Sequence, residues 1–322
     1  MPIPHDAIFK KVFSDPLAAA AELQSVLPAE VARDVAWAEL DLTDIKLVDE
    51  KLKEKFSDLL FKAPIGGRDG FVYVLFEHQS EEDKSMLLRL GEYMFRIWRG
   101  WRTKENRDQS LPPILPVVLA HDEGGWRSPT SFHALFDLAE DSPMRRFIPC
   151  FDVVVDDIRR VDDEALRARN LPVAAAVTLW LMRDARSPAR LLGTLAAWGP
   201  ALDQIVKGDS ELRVALVSYI LEVAGQLVFE ALLAKLANIS PQTGETMLTI
   251  AEHLRQEVRK EEREDRAKTT RQLLRKLLVR DFGSLAASIE KQLDTASLEQ
   301  LDLWFDRAVS GGNQSLDEIL AD

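Results

Sequence analysis

The chain has very little cysteine, with Cys150 alone among 322 residues. One thiol cannot form an internal disulfide, which is typical of a protein in a reducing compartment. The surrounding segment, IPCFDVVV, predicts a strand in which Cys150 is a small buried side chain. The five histidines show no H-E-x-x-H pattern and no Cys/His spacing, so a zinc site is not expected. His5 is either a ligand or a surface residue, and a surface residue is expected.

The chain also lacks a long apolar run and the common nucleotide-binding motifs. Its longest apolar stretch, Leu171 to Met182, is shorter than the roughly 20 residues that a helix needs to cross a bilayer. The N-terminus, MPIPHDAIFKK, has no apolar core of the kind found in secretion signals. No G-x-x-x-x-G-K-[ST], G-x-G-x-x-G or G-x-S-x-G motif occurs. We therefore expect a cytoplasmic protein without membrane contact.

Positive charge is in the minority, since 41 Lys and Arg face 53 Asp and Glu, for a net charge of −12. A broadly basic surface is the usual electrostatic footprint of nucleic-acid binding, so any contact with DNA must be local. A helix predicted from Lys84 to Lys104 carries Arg89, Arg96 and Arg99 on the side opposite its apolar stripe. This side is either a nucleic-acid-binding ridge or an ordinary solvated face.

The stretch Phe56 to Ser80 contains two strand-like runs joined by a Gly-rich turn, which predicts a hairpin. Side chains alternate along a strand, so Tyr73, Glu77 and Gln79 are expected on one face. In a hairpin, Asp58 near the start of the first strand can lie across from Glu77 near the end of the second. The sequence therefore predicts a carboxylate pair at a sheet edge.

Such a carboxylate pair has a functional and a structural interpretation. Two neighbouring carboxylates repel each other, and a hard cation such as Mg²⁺ neutralises them while leaving positions open for water and phosphate oxygens. Alternatively, Asp58 and Glu77 are solvated residues at strand ends. The run Val72 to Phe76 is apolar on both faces, which is typical of a central strand and favours the functional interpretation.

Several segments of the chain carry a family resemblance: HDAIFKKVFSD, FSDLLFKA, VYVLFEHQS, RLGEYMFRIW and LPPILPVVLAHD. They resemble the recombination-promoting nucleases, also called YhgA-like putative transposases, within the PD-(D/E)XK nuclease superfamily. The similarity is strongest from His5 to Asp122. It returns near the end of the chain in LLRKLLVRDFG and SLEQLDLWFDRAVS.

The resemblance implies a nuclease that uses Mg²⁺ or another divalent cation such as Mn²⁺ or Ca²⁺. It gives Asp58 the place of the superfamily's motif aspartate, Glu77 that of its second acid and Gln79 that of its lysine. Glutamine supplies only neutral donors and an acceptor, which makes the chemistry more dependent on the metal. The backbone carbonyl of His78 is a further candidate ligand. Asp6, which is expected to cap a helix, is a secondary candidate acid.

Further strands are predicted in ILPVVLAHD, in FIPCFDVVVDDI and near Leu40 to Val48, giving a sheet of about five strands. The expected fold is α/β, with a restriction-endonuclease-like mixed central sheet flanked by helices and followed by an all-α C-terminal region. We expect a nuclease-like domain at 1–160, a helical domain at 161–250, and a charged helix with a helical cap at 251–322. Pro200 and Gly208 are expected to interrupt the helices.

The charged run from Ala251 to Arg280 has no apolar seam in its middle. It is therefore either a solvated linker helix or a helix through which the chain forms a homo-oligomer. Two functions from different classes remain. One is a metal-dependent DNA endonuclease associated with recombination or mobile elements. The other is a catalytically silent DNA-binding or assembly protein, which the acidic charge and Gln79 favour.

Overall fold

The computed structural model describes residues 4–43, 59–77, 85–103, 108–121, 124–310 and 315–321, with the backbone alone for 74–77. The chain divides into two compact units, Met1–Leu248 and Thr249–Asp322. Within the described ranges, no helix is both long enough and apolar enough to cross a bilayer. The expected division into three domains stays a prediction.

A mixed five-stranded sheet forms the centre of the first unit, with its strands in chain order: β1 (Asp41–Thr43), β2 (Leu59–Ile65), β3 (Arg68–Glu77), β4 (Ile114–Ala120) and β5 (Val154–Asp157). β2 pairs antiparallel with both β1 and β3, whereas β4 pairs parallel with both β3 and β5. The α/β fold with a mixed sheet is thereby confirmed.

The predicted hairpin is formed by β2 and β3. Its pairing runs from Leu59 with Val74 to Ile65 with Arg68, around Gly66 and Gly67. Both glycines have positive φ, 59° and 73°, a conformation that glycine adopts without the steric cost of a side chain. The Gly-Gly turn therefore sets the register of the hairpin.

Helices account for most of the described residues outside the sheet. Among the described residues they are α1 (Pro4–Phe13), α2 (Pro16–Val26), α3 (Ala29–Ala32), α4 (Met86–Trp101), α5 (Asp163–Ala168), α6 (Val173–Asp184), α7 (Pro188–Gly208), α8 (Ser210–Val223), α9 (Gln226–Ile239), α10 (Pro241–Phe282), α11 (Ala287–Thr295), α12 (Leu298–Ser310) and α13 (Leu316–Ile319). All elements after β5 are helical, as the sequence predicts.

The sheet is covered on both faces. On one face, the predicted apolar stripe of α4 packs against Leu60, Phe71 and Tyr73 of the hairpin, and its buried members are Met86, Leu87, Leu90, Met94 and Ile97. On the other face, α1 and α2 line a pocket together with Leu59 and Phe61. Val72 of β3 is fully buried between these two layers, as expected for a central strand.

The second unit has a hydrophobic core of its own. Leu274 and Leu278 of α10 pack against Trp304 of α12 and against residues of the two neighbouring helices. Before these leucines, α10 is mostly exposed, and Arg263 and Arg266 form ion pairs with Glu299 and Asp302. The charged run is thus a helix with a largely solvated surface, and oligomerisation through it stays a prediction.

Two local expectations are wrong. Cys150 is exposed in a loop, because β5 begins only at Val154, where parallel pairing with Val117 starts. Pro200 lies inside α7 and does not end it, although a proline in a helix interior costs roughly 3 kcal/mol. The neighbouring Trp198 and Leu202 are buried, and their burial holds the helix together across the proline. Gly208 ends α7, as expected.

Candidate active site at the carboxyl ends of the strands

The three parallel strands end at one level. Glu77 closes β3 and is paired with Ala120, the last residue of β4, which is in turn paired with Asp157, the last residue of β5. In open α/β sheets, ligands bind beyond the carboxyl ends of parallel strands. The backbone of Glu77 therefore lies at the edge where a substrate is expected.

The other main candidate residues are sequence neighbours of residues at this edge. Asp58, His78 and Gln79 lie outside the described residues, and Glu77 is described by its backbone alone. Asp58 directly precedes Leu59, the first residue of β2. The convergence of these residues on a cation stays a prediction.

His5 belongs to a buried polar cluster beside the same edge, and the expectation of a surface residue is wrong. Its ring lies 4.6 Å from that of His121, the residue that follows β4. Its Nδ1 is 2.7 Å from the hydroxyl of Tyr219 in α8. These contacts satisfy the imidazole away from water, which explains its burial. They also bring the first turn of α1 to the carboxyl end of β4.

The hydrogen bonds of this cluster define the protonation state of His5. Arg186 Nη2 lies 3.0 Å from His5 Nε2, and a guanidinium can only donate. Nε2 therefore accepts, and we assign the proton to Nδ1, which donates to the Tyr219 hydroxyl. Burial raises the pKa of Tyr219, with a smaller opposing effect from Arg186, so the phenol stays neutral. The cluster contains a neutral imidazole between a phenol and a cation.

Asp6 follows His5 in the first turn of α1 and is half-buried. Because α1 begins at Pro4, Asp6 lies inside the helix, where an acid in the first turn interacts favourably with the helix dipole. The contact between His5 and His121 places this turn beside the carboxyl end of β4. The role of Asp6 as a secondary acid stays a prediction.

The three arginines of the predicted ridge have different surroundings. Arg89 is half-buried, and its Nε and Nη2 atoms are closed off from solvent. Arg96 forms an ion pair with Glu92, one turn away on α4. Arg99 is exposed in the last turn of α4. Their contact with nucleic acid stays a prediction.

A buried charged group that was not predicted from the sequence lies on the α2 side of the sheet. Arg169 donates to both carboxylate oxygens of Asp156, at 2.8 and 2.9 Å, and also to Glu22. Burial raises the pKa of Glu22 well above its ordinary value, the nearby Asp156 raises it further, and Arg169 opposes both. No local pattern predicts this group, because Glu22 and Arg169 are 147 positions apart.

Within the described ranges, no group of three or more His, Cys, Asp or Glu side chains is arranged to hold a metal ion. Of the proposed ligands, Asp58 and His78 lie outside those ranges, and the carboxylate of Glu77 is not described.

Comparison with known proteins identifies the family. The family model described as "Putative transposase, YhgA-like" matches residues 3–213, about two thirds of the chain. The chain belongs to this family. The matched range contains the whole sheet, α1 to α7, and Asp6, Asp58, Glu77 and Gln79. No solved structure matches the chain significantly.

The chain is similar to named members of a nuclease group in Escherichia coli. Recombination-promoting nuclease RpnD of strain O157:H7 is 28% identical over 254 residues, which cover 78% of this chain and 94% of the relative. Recombination-promoting nuclease RpnA of strain K12 is 28% identical over 266 residues, covering 79% and 84%. Inactive recombination-promoting nuclease-like protein RpnE of strain K12 is 27% identical over 254 residues, covering 79% and 82%. Identity alone therefore does not separate active from inactive relatives.

Proposed function

We propose that this chain is a divalent-metal-dependent DNA endonuclease that acts in recombination or on mobile elements. The names of two relatives that align with most of the chain, RpnD and RpnA, support nuclease activity. DNA as the substrate, the metal requirement and cleavage within a strand belong to the proposal.

One structural observation carries the proposal. β3 and β4 end together at Glu77 and Ala120, and the His5–His121 contact brings the first turn of α1, with Asp6, to that end. Segments far apart in sequence thus meet at one sheet edge, which supports a site there.

The hairpin register supports a shared site for the two main carboxylates. Leu60 is paired with Tyr73, so these two residues project from the same face. Counting in twos along each strand gives Asp58 the parity of Leu60 and Glu77 the parity of Tyr73. We propose that both carboxylates project from this face at its carboxyl edge.

The donor set fits a hard cation. Two carboxylates and the backbone carbonyl of His78 are oxygen ligands, which Mg²⁺, Mn²⁺ and Ca²⁺ prefer. A bound cation supplies Lewis acidity and lowers the pKa of a coordinated water.

The remaining roles belong to the chain's own side chains. Asp58 and Glu77 hold the cation, and the neutral amide of Gln79 orients the attacking water by hydrogen bonding. Asp6 adds a further carboxylate from α1. The basic side of α4, with Arg89, Arg96 and Arg99, contacts backbone phosphates of the DNA.

A catalytically silent DNA-binding or assembly protein is the second candidate. A specific finding favours it, because RpnE, named as inactive, is about as similar to this chain as the relatives named as nucleases. The net charge of −12 and the absence of a lysine at position 79 agree with it.

The decisive test is nicking of supercoiled plasmid DNA across a titration of Mg²⁺ and Mn²⁺. We expect Asp58→Ala to reduce metal-dependent nicking to background, since it removes one of the two main carboxylate ligands. Asp69→Ala is the matched control, because Asp69 lies at the turn end of the same hairpin and pairs with Lys62. Equal nicking by the wild type and Asp58→Ala removes Asp58 from the mechanism. No nicking by the wild type with any divalent ion favours the silent alternative.

A further inference from the structure

We propose that the outer face of α4, together with the segment 131–151, binds a second copy of this chain in a two-fold symmetric dimer. Five exposed side chains define this surface, which we call the aromatic patch: Leu88, Phe95, Phe136, Met144 and Phe147. The inference does not rest on the proposed nuclease function, because it uses no residue of the strand-end site.

The aromatic patch has the composition of a binding surface. Among the residues of the first unit that the structure describes, the exposed Phe and Met side chains all belong to it. An arginine is part of it as well, since Cζ of Arg146 lies 4.9 Å from the centre of the Phe147 ring. Phenylalanine, methionine and arginine are residue types that are enriched at protein interfaces.

Contacts join the α4 side of the patch to the neighbouring segment. Leu88 and Phe95 lie three positions before and four positions after Gly91, so all three share one side of α4. Phe132 lies against Gly91, close enough that a methyl group added at Gly91 would be 3.4 Å from its ring. The rings of Phe132 and Phe136 are in turn 5.8 Å apart, which makes the patch continuous here.

The other two patch residues lie next to anchored ones. Ile148 packs against the apolar cluster beneath α4, and Arg145 donates to the Leu138 carbonyl at 3.3 Å. Met144 directly precedes Arg145, and Phe147 directly precedes Ile148. The patch is therefore a preformed surface, which binds with a smaller loss of conformational entropy than a loose loop.

The exposed area of the patch matches what a dimer needs. The exposed fractions of its residues run from 40% for Phe136 to 68% for Phe147. With about 200 Å² for a large side chain, the whole patch exposes roughly 500 Å² of mostly apolar surface. A standard interface buries about 800 Å² per partner, of which about 60%, or roughly 500 Å², is apolar. The patch thus supplies the apolar part of one half of such an interface.

The charges beside the patch favour a second copy over an unlike partner. Asp137, Glu140 and Asp141 are exposed, and within the described part of the chain none of them forms an ion pair. Arg146 is also exposed and has no acidic partner there. Because a two-fold axis makes every contact twice, the acids of each copy can face Arg146 of the other. DNA or an anionic membrane would instead meet these acids with like charge.

The proposed dimer leaves the basic side of α4 open. Arg89 and Arg96 lie about 140–160° around the helix from Gly91, which faces the segment 131–151. Arg99 lies about 80° from Gly91, at the border between the two surfaces. Dimerisation and the proposed contact of α4 with DNA therefore use different sides of the helix.

Sedimentation velocity of the full chain tests the dimer. We expect the wild type, a chain of 36.3 kDa, to change from monomer to dimer as its concentration rises from about 0.1 to 100 µM. Phe147→Glu should raise the Kd of the dimer at least about 100-fold, because a central aromatic carries about tenfold or more and the two-fold axis repeats the change. Leu227→Glu is the matched control, because Leu227 is an exposed apolar residue of α9 outside the patch, and its Kd should equal that of the wild type.

Charge reversal tests the two-fold arrangement. Arg146→Glu sets like charges against the acids of the partner, and the double variant Glu140→Lys with Asp141→Lys sets like charges against Arg146. Each is expected to stay monomeric alone at concentrations at which the wild type is dimeric. An equal mixture of the two should dimerise, because both contacts of the mixed pair then join opposite charges. A mixture that stays monomeric would refute the arrangement.

Other outcomes would overturn the inference. One is a wild type that is monomeric at every concentration, whether or not it binds phosphatidylserine vesicles through Phe147. Another is a dimer that Val258→Glu on α10 abolishes while Phe95→Glu and Phe147→Glu leave it intact, because Val258 is exposed on the other helix considered for oligomerisation. Thermal unfolding checks that each variant is folded. Should Phe95→Glu not fold, the more exposed Phe147 decides the question alone.

Discussion

Replacing Arg169 with methionine should strongly destabilise the first unit. Arg169 is the cation between two buried carboxyl groups, with two hydrogen bonds to Asp156 and one to Glu22. Methionine has a similar length but no charge, so Arg169→Met leaves Asp156 buried without its counter-ion. Breaking a buried ion pair by removing one partner costs about 3–5 kcal/mol. For a unit of this size, the cost corresponds to a decrease in Tm of roughly 6–20 °C.

The same group predicts an unusual pH dependence. The pKa of Glu22 is raised above its ordinary value of 4.5 in the folded chain, chiefly by burial. As the pH rises from 4.5 to the raised value, the folded state keeps a proton that the unfolded state has released. The free energy of unfolding therefore falls across this interval. Glu22→Gln mimics the protonated carboxyl, so it should remove this slope and make the protein more stable than the wild type above the interval.

Urea unfolding followed by far-UV circular dichroism, from mildly acid to mildly alkaline pH, measures both effects. Glu222→Gln is the control for the glutamine substitution, because Glu222 lies on α8 and accepts an exposed hydrogen bond from Ser218. A loss of stability below about 1 kcal/mol in Arg169→Met would refute the reasoning. Parallel pH profiles for the wild type and Glu22→Gln would refute the protonated state of Glu22.

Two further predictions concern other parts of the chain. Lys207, Ser240 and Thr243 together lower the pKa of Asp203 to about 2, so Asp203→Asn should cost about 1–2 kcal/mol at neutral pH. Because this contribution needs the ionised carboxylate, the difference in the free energy of unfolding between Asp203→Asn and the wild type should shrink as the pH falls from 3.8 toward 2. A difference that stays constant with pH in urea unfolding would contradict the lowered pKa of Asp203. Trp304→Ala should lower the free energy of unfolding of the unit Thr249–Asp322 by about 3–5 kcal/mol, because Trp304 lies in the core of that unit. In limited proteolysis this unit should then be the first part of the variant to be cut. Resistance equal to that of the wild type would argue against a core role for Trp304.

The sequence predicts the parts of the fold that depend on patterns within short stretches of the chain. The β2–β3 hairpin follows from two apolar runs around Gly66 and Gly67, and the buried face of α4 follows from its helical periodicity. Pro200 shows the limit of such local rules, because the burial of its neighbours outweighs the preference of proline to end a helix.

The surroundings of the candidate site depend on distant residues and could not be predicted in this way. His5 is buried because Tyr219 lies against it from 214 positions away, and Glu22 meets Arg169 across 147 positions. A histidine near the N-terminus and a glutamate on a short helix carry no local pattern that distinguishes them from surface residues. The convergence of Asp58, Glu77 and Gln79 stays a prediction from hairpin parity and family resemblance.

The long separation between His5 and Tyr219 has a consequence for biosynthesis. A nascent chain emerges from the ribosome with α1 first, and α8 is made about 200 residues later. Until then the imidazole of His5 has no phenol to fix its tautomer, and before α6 is finished it has no guanidinium to hold. We therefore expect the His5 cluster, and with it the packing of α1 beside the carboxyl end of β4, to form only when most of this polypeptide has been made.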